Sequence, residues 1–191
     1  MTDKIEQFLH SGVGGAIAAR LGLVVPDLQR FAGGTGLPGG IVALAGTATN
    51  EAATNAVRAQ LDALGLDCVQ LTGDDLTERF PDGSEERVDA LIFDGRDCNG
   101  AGDLAAVHRF FSPMVRRLNN NGRVLVIAEP HDTAGSAERA AAQRALEGFA
   151  RSLAKEIGNR GSTAQLLIIE PGADAATRST LAYLLSTKSA Y

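Results

Sequence analysis

Short, uninterrupted apolar runs alternate with amphipathic segments along most of this 191-residue chain, and this alternation constrains the fold more than any other feature. Strands without a polar face must be covered on both sides, which is typical of a parallel sheet between two helical layers. The sequence therefore predicts a doubly wound α/β three-layer sandwich. The predicted strands are 41–45, 68–71, 90–93, 124–127 and 166–169, and the predicted helices are 55–64, 104–118, 137–157 and 177–185.

The first 39 residues do not follow this pattern. They contain two short helical patterns, Ile5 to His10 and Ala16 to Leu21, and a third turn at Pro26 to Phe31. The Gly/Pro-rich sequence GGTGLPGG follows, and such a composition marks a linker. We expect a helical N-terminal extension with a linker at residues 1–39 and the α/β domain at residues 40–191.

Charge and composition argue against several classes of partner. The formal net charge is −5, and no run of Lys or Arg marks a surface for nucleic acid or anionic membrane. No apolar run reaches membrane-spanning length, and the N-terminus lacks a signal-peptide core. Cys68 and Cys98 lie outside any C-x-x-C spacing, so we expect free thiols and no metal site in a cytoplasmic protein.

The segment 122–158 carries a resemblance to a known family. Its final part matches a G-F-x-x-S-L-A-K-E-like run at Gly148, Phe149, Ser152, Leu153, Ala154, Lys155 and Glu156. In short-chain dehydrogenase/reductases, and most closely in bacterial 3-oxoacyl-acyl-carrier-protein reductases, a similar run follows a strand ending in Ser and a helix carrying Tyr-x-x-x-Lys. Counting back from the run places Arg139 at the Tyr position and Gln143 at the Lys position, while Glu129 falls near the Ser position.

These three replacements remove the chemistry by which the resembled family reduces carbonyl groups. Hydride transfer needs an acid that protonates the developing alkoxide, and in that family a Tyr hydroxyl whose pKa is lowered by a Lys does so. The Arg139 guanidinium keeps its proton throughout the usable pH range, and Gln143 has no charge with which to lower a pKa. A carboxylate at Glu129 opposes alkoxide formation. We therefore expect no catalytic residue at these positions.

The resemblance also implies an order for the strands. Compared with the family, this chain has one strand–helix unit fewer between Leu71 and Ala90, and it stops where the family's last strand would begin. Removing those two strands from the family order 3-2-1-4-5-6-7 leaves the flavodoxin-like order 2-1-3-4-5 under new labels. We therefore expect a degenerate Rossmann fold with a five-stranded, flavodoxin-like parallel sheet.

The whole arrangement resembles the N-terminal half of high-molecular-weight bacterial 3-oxoacyl-acyl-carrier-protein reductases, including the extension LHSGVGGAIAARLGL and the terminal LAYLLSTKSAY. Those proteins carry a degenerate flavodoxin-like domain ahead of a complete NADH-dependent ketoreductase domain. The resemblance implies that this chain is a fragment: a non-catalytic domain with interface and scaffold roles in fatty acid metabolism. It implies no cofactor in this chain, NADH or NADPH for the parent enzyme, and an acyl carrier protein or acyl-CoA as substrate partner.

A second reductase domain of the same protein and a second copy of the chain are further partners that the resemblance implies. In the family the two helices corresponding to 104–118 and 137–157 form a four-helix dimer interface. The alternative is that their apolar surface simply packs on the sheet. The residues suited to an interface are small ones for close approach and large ones as anchors, namely Ala140, Ala141, Ala142 and Ala145 with Phe110, Phe111 and Met114.

The turn after the first strand is the candidate cofactor site, because a doubly wound fold places a phosphate at the helix N-terminus there. The dinucleotide fingerprint needs several glycines, and only Gly46 is present. Thr47, Thr49 and Asn50 resemble instead the FMN phosphate loop of flavodoxins, although helix capping explains the same residues. A chain with no Trp and two Tyr has few rings to stack on a flavin. An FMN- or nucleotide-binding module is thus the alternative function.

Polar residues near the carboxyl ends of the last two strands form a further candidate group. A His beside carboxylates suits acid–base chemistry or metal binding, and the alternative is a solvated rim with an ion pair. Asp94-Gly95 and Asp103-Leu104 fall at family turn and helix positions, where a polar strand end and a helix N-cap are the simpler interpretation. The residues expected near the strand ends are Glu129, His131, Asp132, Arg139 and Asp174.

Overall fold

The computed structural model describes residues 8–9, 11–22, 25–26, 28–29, 31–47, 51–72 and 75–190. The helices and strands, in chain order, are α1 (Gly12–Arg20), β1 (Val42–Gly46), α2 (Glu51–Ala63), β2 (Cys68–Leu71), α3 (Asp75–Arg79), β3 (Val88–Asp94), α4 (Leu104–Met114), β4 (Leu118–Ala128), α5 (Ala137–Ile157), β5 (Thr163–Ile168) and α6 (Arg178–Leu185). Short 3-10 turns connect or follow several of these elements.

The five strands form one parallel sheet in the order β2-β1-β3-β4-β5. Val42 of β1 lies between Cys68 of β2 and Ala90 of β3, which fixes the register at the amino-terminal ends of these strands. The predicted flavodoxin-like order is therefore confirmed. The strand order reverses between β1 and β3, and ligands of doubly wound folds bind in the crevice at the carboxyl ends of such a pair.

Helices cover both faces of the sheet and bury two separate apolar clusters. On one face, α2 and α6 place Val57, Leu61 and Leu181 against Leu44 and Ile92. On the other face, α4 and α5 contribute the second cluster together with alternate residues of β3 and β4. Alternate strand residues thus point into opposite cores, which explains why the central parts of β1, β3 and β4 are continuously apolar.

An aromatic group fills the core beneath α4 and α5. The ring of Phe93 lies 6.0 Å from that of Phe110 and 6.1 Å from that of Phe111, and the Phe111 and Phe149 rings are 4.8 Å apart. Phe110, Phe111 and Met114 are no more than 3% exposed. These side chains pack on the sheet, as the alternative interpretation expects, so they are not free to anchor an interface. An interface through these two helices therefore has to use their outer faces.

The largest error in the predicted elements is at the junction of α4 and β4. The helix ends at Met114 and a 3-10 turn follows, whereas the sequence predicted a helix to residue 118. β4 then begins at Leu118 instead of residue 124, because Leu118 pairs with Val88 across an irregular register. The intervening Asn-rich residues carry no apolar signal, so this part of the strand was missed. The short helix α3 in the polar loop was also not predicted.

Described parts of the extension are attached to the domain at the amino-terminal edge of the sheet. Gln29 N donates to Asn121 Oδ1 at 3.0 Å, and Thr187 N donates to Gly36 O at 2.9 Å. Helix α1 begins at a Ser11 cap, while the predicted helix at Ile5 to His10 lies largely outside the described residues. The division at residue 39 stays a prediction. Within the described ranges, no helix combines the length and apolar character needed to cross a bilayer.

Candidate functional site

A buried arginine occupies the crevice at the carboxyl edge of the sheet. Asp94 is the last residue of β3, and Arg96 follows it in the loop toward α4. The guanidinium of Arg96 makes a bidentate pair with Asp94, with Nε–Oδ1 at 2.9 Å and Nη2–Oδ2 at 2.7 Å. Arg96 is 4% exposed and Asp94 3% exposed. Two ionised groups are therefore enclosed at the end of a central strand.

Arg96 also connects β3 to the segments on either side of the crevice. Its Nη1 donates to Asp174 Oδ1 at 2.6 Å, and its Nη2 donates to the carbonyl of Ala53 at 3.0 Å. Ala53 lies in the first turn of α2, the helix that follows β1. The side chain thus spans the gap between the ends of β3 and β1, which is where a dinucleotide lies in doubly wound folds.

The charges of this group disfavour a phosphate. One guanidinium faces two carboxylates, those of Asp94 and Asp174, so the three side chains together carry a negative charge. Burial alone lowers the pKa of Arg96, but hydrogen bonds and charges from Asp94 and Asp174 outweigh burial and raise that pKa above its ordinary value. Arg96 is thus permanently protonated and fully paired within the chain.

The strand end beside this crevice is closed by helix packing. A Cβ added to Gly46 would collide with Oγ1 of Thr54 in α2, so Gly46 serves close packing of the helix on β1. Thr47 follows and is 8% exposed. Thr49 and Asn50 lie outside the described residues, and phosphate or FMN binding by the four predicted residues stays a prediction.

The structure brings together Glu129, Arg139 and Gln143, the three residues that the sequence resemblance aligned with catalytic positions. Arg139 Nη2 lies 2.6 Å from Glu129 Oε2 and donates to the carbonyl of Arg96 at 2.9 Å. Arg139 Nη1 also donates to Asn99 Oδ1. The ion pair is about four-fifths buried on both sides, with exposures of 21% and 22%. Arg139 thus ties the end of β4 to the loop that carries Arg96.

Gln143 completes this attachment from the next turn of α5. Its Oε1 accepts a hydrogen bond from Glu129 N at 2.9 Å, and its Nε2 donates to the carbonyls of Gly95 at 3.0 Å and Cys98 at 2.9 Å. The side chain is 2% exposed. This neutral amide, with both ends hydrogen-bonded, holds the backbone of the loop after β3 to the end of β4 and has no proton to transfer at ordinary pH.

The other predicted polar residues do not all lie at this site. Asp174 joins Arg96, whereas His131 and Asp132 lie exposed in the turn before α5 and do not form part of these contacts. Asp103 is the N-cap residue of α4, as predicted, but its side chain makes no capping hydrogen bond. Its carboxylate instead accepts from Asn99 N at 2.8 Å, because the backbone of Asp103 is already helical. Among the described residues, no cluster of His, Cys, Asp and Glu is suited to a metal ion.

Arg96 is the site residue that the sequence did not reveal. Asp94 can be identified from the sequence as a polar strand end, whereas its partner Arg96, two residues later, cannot. The available signal was an Asp-Gly-Arg sequence directly after a strictly apolar strand, where a guanidinium can fold back onto the preceding carboxylate.

Comparison with solved structures finds the same fold in short-chain dehydrogenase/reductases. A variant of such an enzyme from Serratia marcescens is 17% identical, with a TM-score of 0.61 over 82% of this chain and 93% of that one. A Brucella ovis oxidoreductase of this family, solved with partially ordered NAD, is 10% identical, with a TM-score of 0.55 over 80% of this chain and 95% of that one.

A further similar structure is the promiscuous reductase LugOII, which catalyses keto-reduction at C1 in lugdunomycin biosynthesis. It is 15% identical, with a TM-score of 0.56 over 82% of this chain and 93% of that one. No family model and no curated protein sequence matches this chain. At these identities the likeness concerns the fold, and the chain has the Rossmann-like fold of the short-chain dehydrogenase/reductases.

Proposed function

We propose that this chain is a non-catalytic, reductase-like domain of a 3-oxoacyl-acyl-carrier-protein reductase in fatty acid metabolism. Reduction with NADH or NADPH is then carried out by a second reductase domain of the same protein, outside this chain. The observation that carries the proposal is the paired Arg96 side chain, which lies at the carboxyl end of β3 and donates to the first turn of α2, the helix that follows β1. The chain contributes a packed scaffold and helix surfaces to the larger protein.

The energetics of displacing Arg96 support this proposal. A dinucleotide in the crevice has to move the guanidinium and leave Asp94 buried without its counterion, and breaking a buried pair costs about 3–5 kcal/mol. A loss of about 3 kcal/mol weakens binding more than 100-fold. The pyrophosphate also meets the excess negative charge of Asp94 and Asp174, so affinity falls further.

The same proposal assigns structural roles to the residues at the catalytic positions. Glu129, Arg139 and Gln143 make contacts that hold the loop after β3 against α5. In a reductase these positions must instead present a hydroxyl and an ammonium group to substrate. The acyl carrier protein or acyl-CoA substrate is proposed to meet the larger protein, with this chain forming at most part of the surrounding surface.

A reduction assay tests the catalytic part of the proposal. The chain is mixed with an acetoacetyl thioester and NADH or NADPH, and nicotinamide absorbance is followed. We expect no turnover above the uncatalysed rate, for the chain and equally for its Arg139→Ala variant. Turnover that is lost in Arg139→Ala would contradict the proposal, because it would assign catalysis to the position occupied by Arg139.

The confirmed sheet order favours a second candidate, a small module that binds FMN or a nucleotide at the turn after β1. Gly46 and Thr47 begin this turn, and Thr49 and Asn50 complete the candidate phosphate loop. Titration with FMN, followed by flavin fluorescence, separates the candidates. Micromolar binding that Asn50→Ala abolishes supports the module and contradicts the scaffold, whereas the scaffold predicts no saturation.

A further inference from the structure

The amino-terminal edge of the sheet contains a cavity far from the paired Arg96. It encloses about 660 Å³ between the Gly/Pro-rich linker, the beginning of β4 and the turn after α6. Cavities of roughly 300–1,000 Å³ hold small molecules in proteins. Glycine backbone and asparagine side chains form much of its wall, including Gly33, Gly36, Asn119 and Asn121. The space is therefore of ligand size and polar.

Arg123 of β4 contributes to this wall and is buried without full hydrogen bonding. It is 3% exposed. Its Nη1 donates to the carbonyls of Asn121 at 3.0 Å and Gly122 at 3.4 Å, and its Nε donates to Ser186 O at 3.2 Å. Its Nη2 has no hydrogen-bond acceptor among the described residues. The acceptors that Arg123 does have are all neutral carbonyls.

The contrast with Arg96 shows what Arg123 lacks. Arg96 is equally buried, yet two carboxylates compensate its charge. No ion pair links Arg123 to a carboxylate within the described part of the chain. Burial lowers the pKa of Arg123, although a guanidinium still remains protonated. A buried charge of this kind is stabilised by a nearby anion, and the described residues supply three carbonyl acceptors but no paired carboxylate.

The other charged side chains that line the cavity do not compensate the charge of Arg123. Asp89 is the carboxylate in the wall, but its oxygens already accept hydrogen bonds from Gly40 N at 2.8 Å and Asn119 Nδ2 at 2.7 Å. Arg87 adds a second guanidinium at the rim. Arg87 and Arg123 against Asp89 give the described lining a net positive charge.

We propose that this cavity is a binding site for an oxyanion, the phosphate or carboxylate group of a small polar molecule. Arg123 supplies a charge that the oxyanion compensates from the cavity, and the buried Nη2 gains an acceptor when the guanidinium turns toward the anion. Charge-assisted hydrogen bonds from a buried guanidinium to an oxyanion are among the stronger ones in proteins. The site is separate from the crevice at the carboxyl edge and needs no redox cofactor.

The test is a titration of the intact chain with inorganic phosphate and, separately, with acetate, at constant ionic strength set by chloride. Amide resonances of Gly122 and Ser186 are followed by NMR. We expect saturable shifts with a dissociation constant on the order of 1 mM. The anion that saturates at the lower concentration identifies phosphate or carboxylate as the preferred group.

Two substitutions test whether Arg123 is the residue that binds the anion. Arg123→Met removes the charge while keeping the length of the side chain, and we expect it to weaken binding at least tenfold. Arg109→Met removes an exposed guanidinium on α4 and is expected to leave binding unchanged, which controls for net charge. Absence of saturation with both anions, or equal binding by wild type and Arg123→Met, overturns the proposal.

Thermal unfolding keeps the test decisive if Arg123→Met folds poorly. Phosphate or acetate is expected to raise the Tm of the wild-type chain and of Arg109→Met, because a ligand of the native state stabilises it. Arg123→Lys keeps a positive charge at the site and is expected to bind more weakly than wild type but still saturably. No anion-dependent rise in the wild-type Tm contradicts the proposal.

Discussion

At the scale of single residues, two buried arginines define the two ends of this sheet. Arg96 is paired with Asp94 and Asp174 at the carboxyl edge, and Arg123 has only carbonyl acceptors near the amino edge. The same type of side chain is thus fully paired at one candidate site, whereas at the other it has a donor without an acceptor among the described residues. The difference depends on compensation of charge, because both guanidinium groups are almost fully buried.

Replacing Arg96 by Ala is expected to destabilise the chain by about 3–5 kcal/mol, because Asp94 then remains buried without a counterion. Urea unfolding followed by circular dichroism measures the change. Arg58→Ala is the matched control, since Arg58 pairs with Asp62 on the exposed surface of α2 and is expected to change stability by less than about 1 kcal/mol. Equal effects of the two substitutions would refute the structural role of Arg96.

The two cysteines are expected to be unreactive in the native state. Burial raises the pKa of Cys68 to about 11 and that of Cys98 to about 12, so the thiolate is scarce at pH 8. Both thiols are free and buried. A colorimetric thiol reagent should react slowly at pH 8 with the native chain and at once after unfolding in urea. Rapid reaction of either thiol before unfolding would disprove the burial.

These raised pKa values also predict the direction in which the stability of the chain changes with pH. A thiol that keeps its proton in the folded state stabilises the fold below the unfolded pKa of about 8.5, and this contribution declines as pH rises toward the folded value. Stability is therefore expected to fall between about pH 8.5 and pH 11, and the slope should be shallower in Cys68→Ala. Identical slopes in both proteins would show that Cys68 does not contribute.

At the scale of elements, the sequence predicts most of the architecture because strands and helices have strong local signals. The strand Cys68–Leu71 and the helix Ala137–Ile157 agree residue for residue with prediction. The beginning of β4 could not be predicted, since its polar residues join the sheet only through pairing with β3. Local periodicity is absent there, and tertiary pairing determines the strand.

The outer face of α5 is the element on which the proposed oligomer depends. Ala141, Ala145 and Gly148 lie exposed along this face, so a second helix can approach closely. Ala145→Glu is expected to weaken self-association at least tenfold without unfolding the chain, because Glu suits an exposed helix position. Sedimentation velocity over a concentration series measures the change.

Ala59→Glu is the matched control for that substitution. It adds the same charge at an exposed alanine of α2, on the opposite face of the sheet from α5, and is expected to leave association intact. A wild-type chain that stays monomeric at every concentration would rule out the interface on α5.

At the scale of the whole molecule, the fold and the site differ in how far sequence determines them. Counting from a local motif singled out Glu129, Arg139 and Gln143, and these three residues are in contact in the structure. Arg96 could not be recognised as their neighbour, because its partners Asp174 and Ala53 are 78 and 43 residues away. The contacts of Arg96 with Asp174 and Ala53 are long-range, and a local sequence motif contains no information about them.

We propose that Arg96 and its partners occupy the crevice between β1 and β3, so that the chain does not bind a dinucleotide there. Calorimetric titration of the intact chain with NADH, and then with NADPH, tests this most directly. We expect no saturable heat up to about 1 mM of either cofactor. Saturable binding with a dissociation constant in the micromolar range would contradict it, since such binding requires an open crevice.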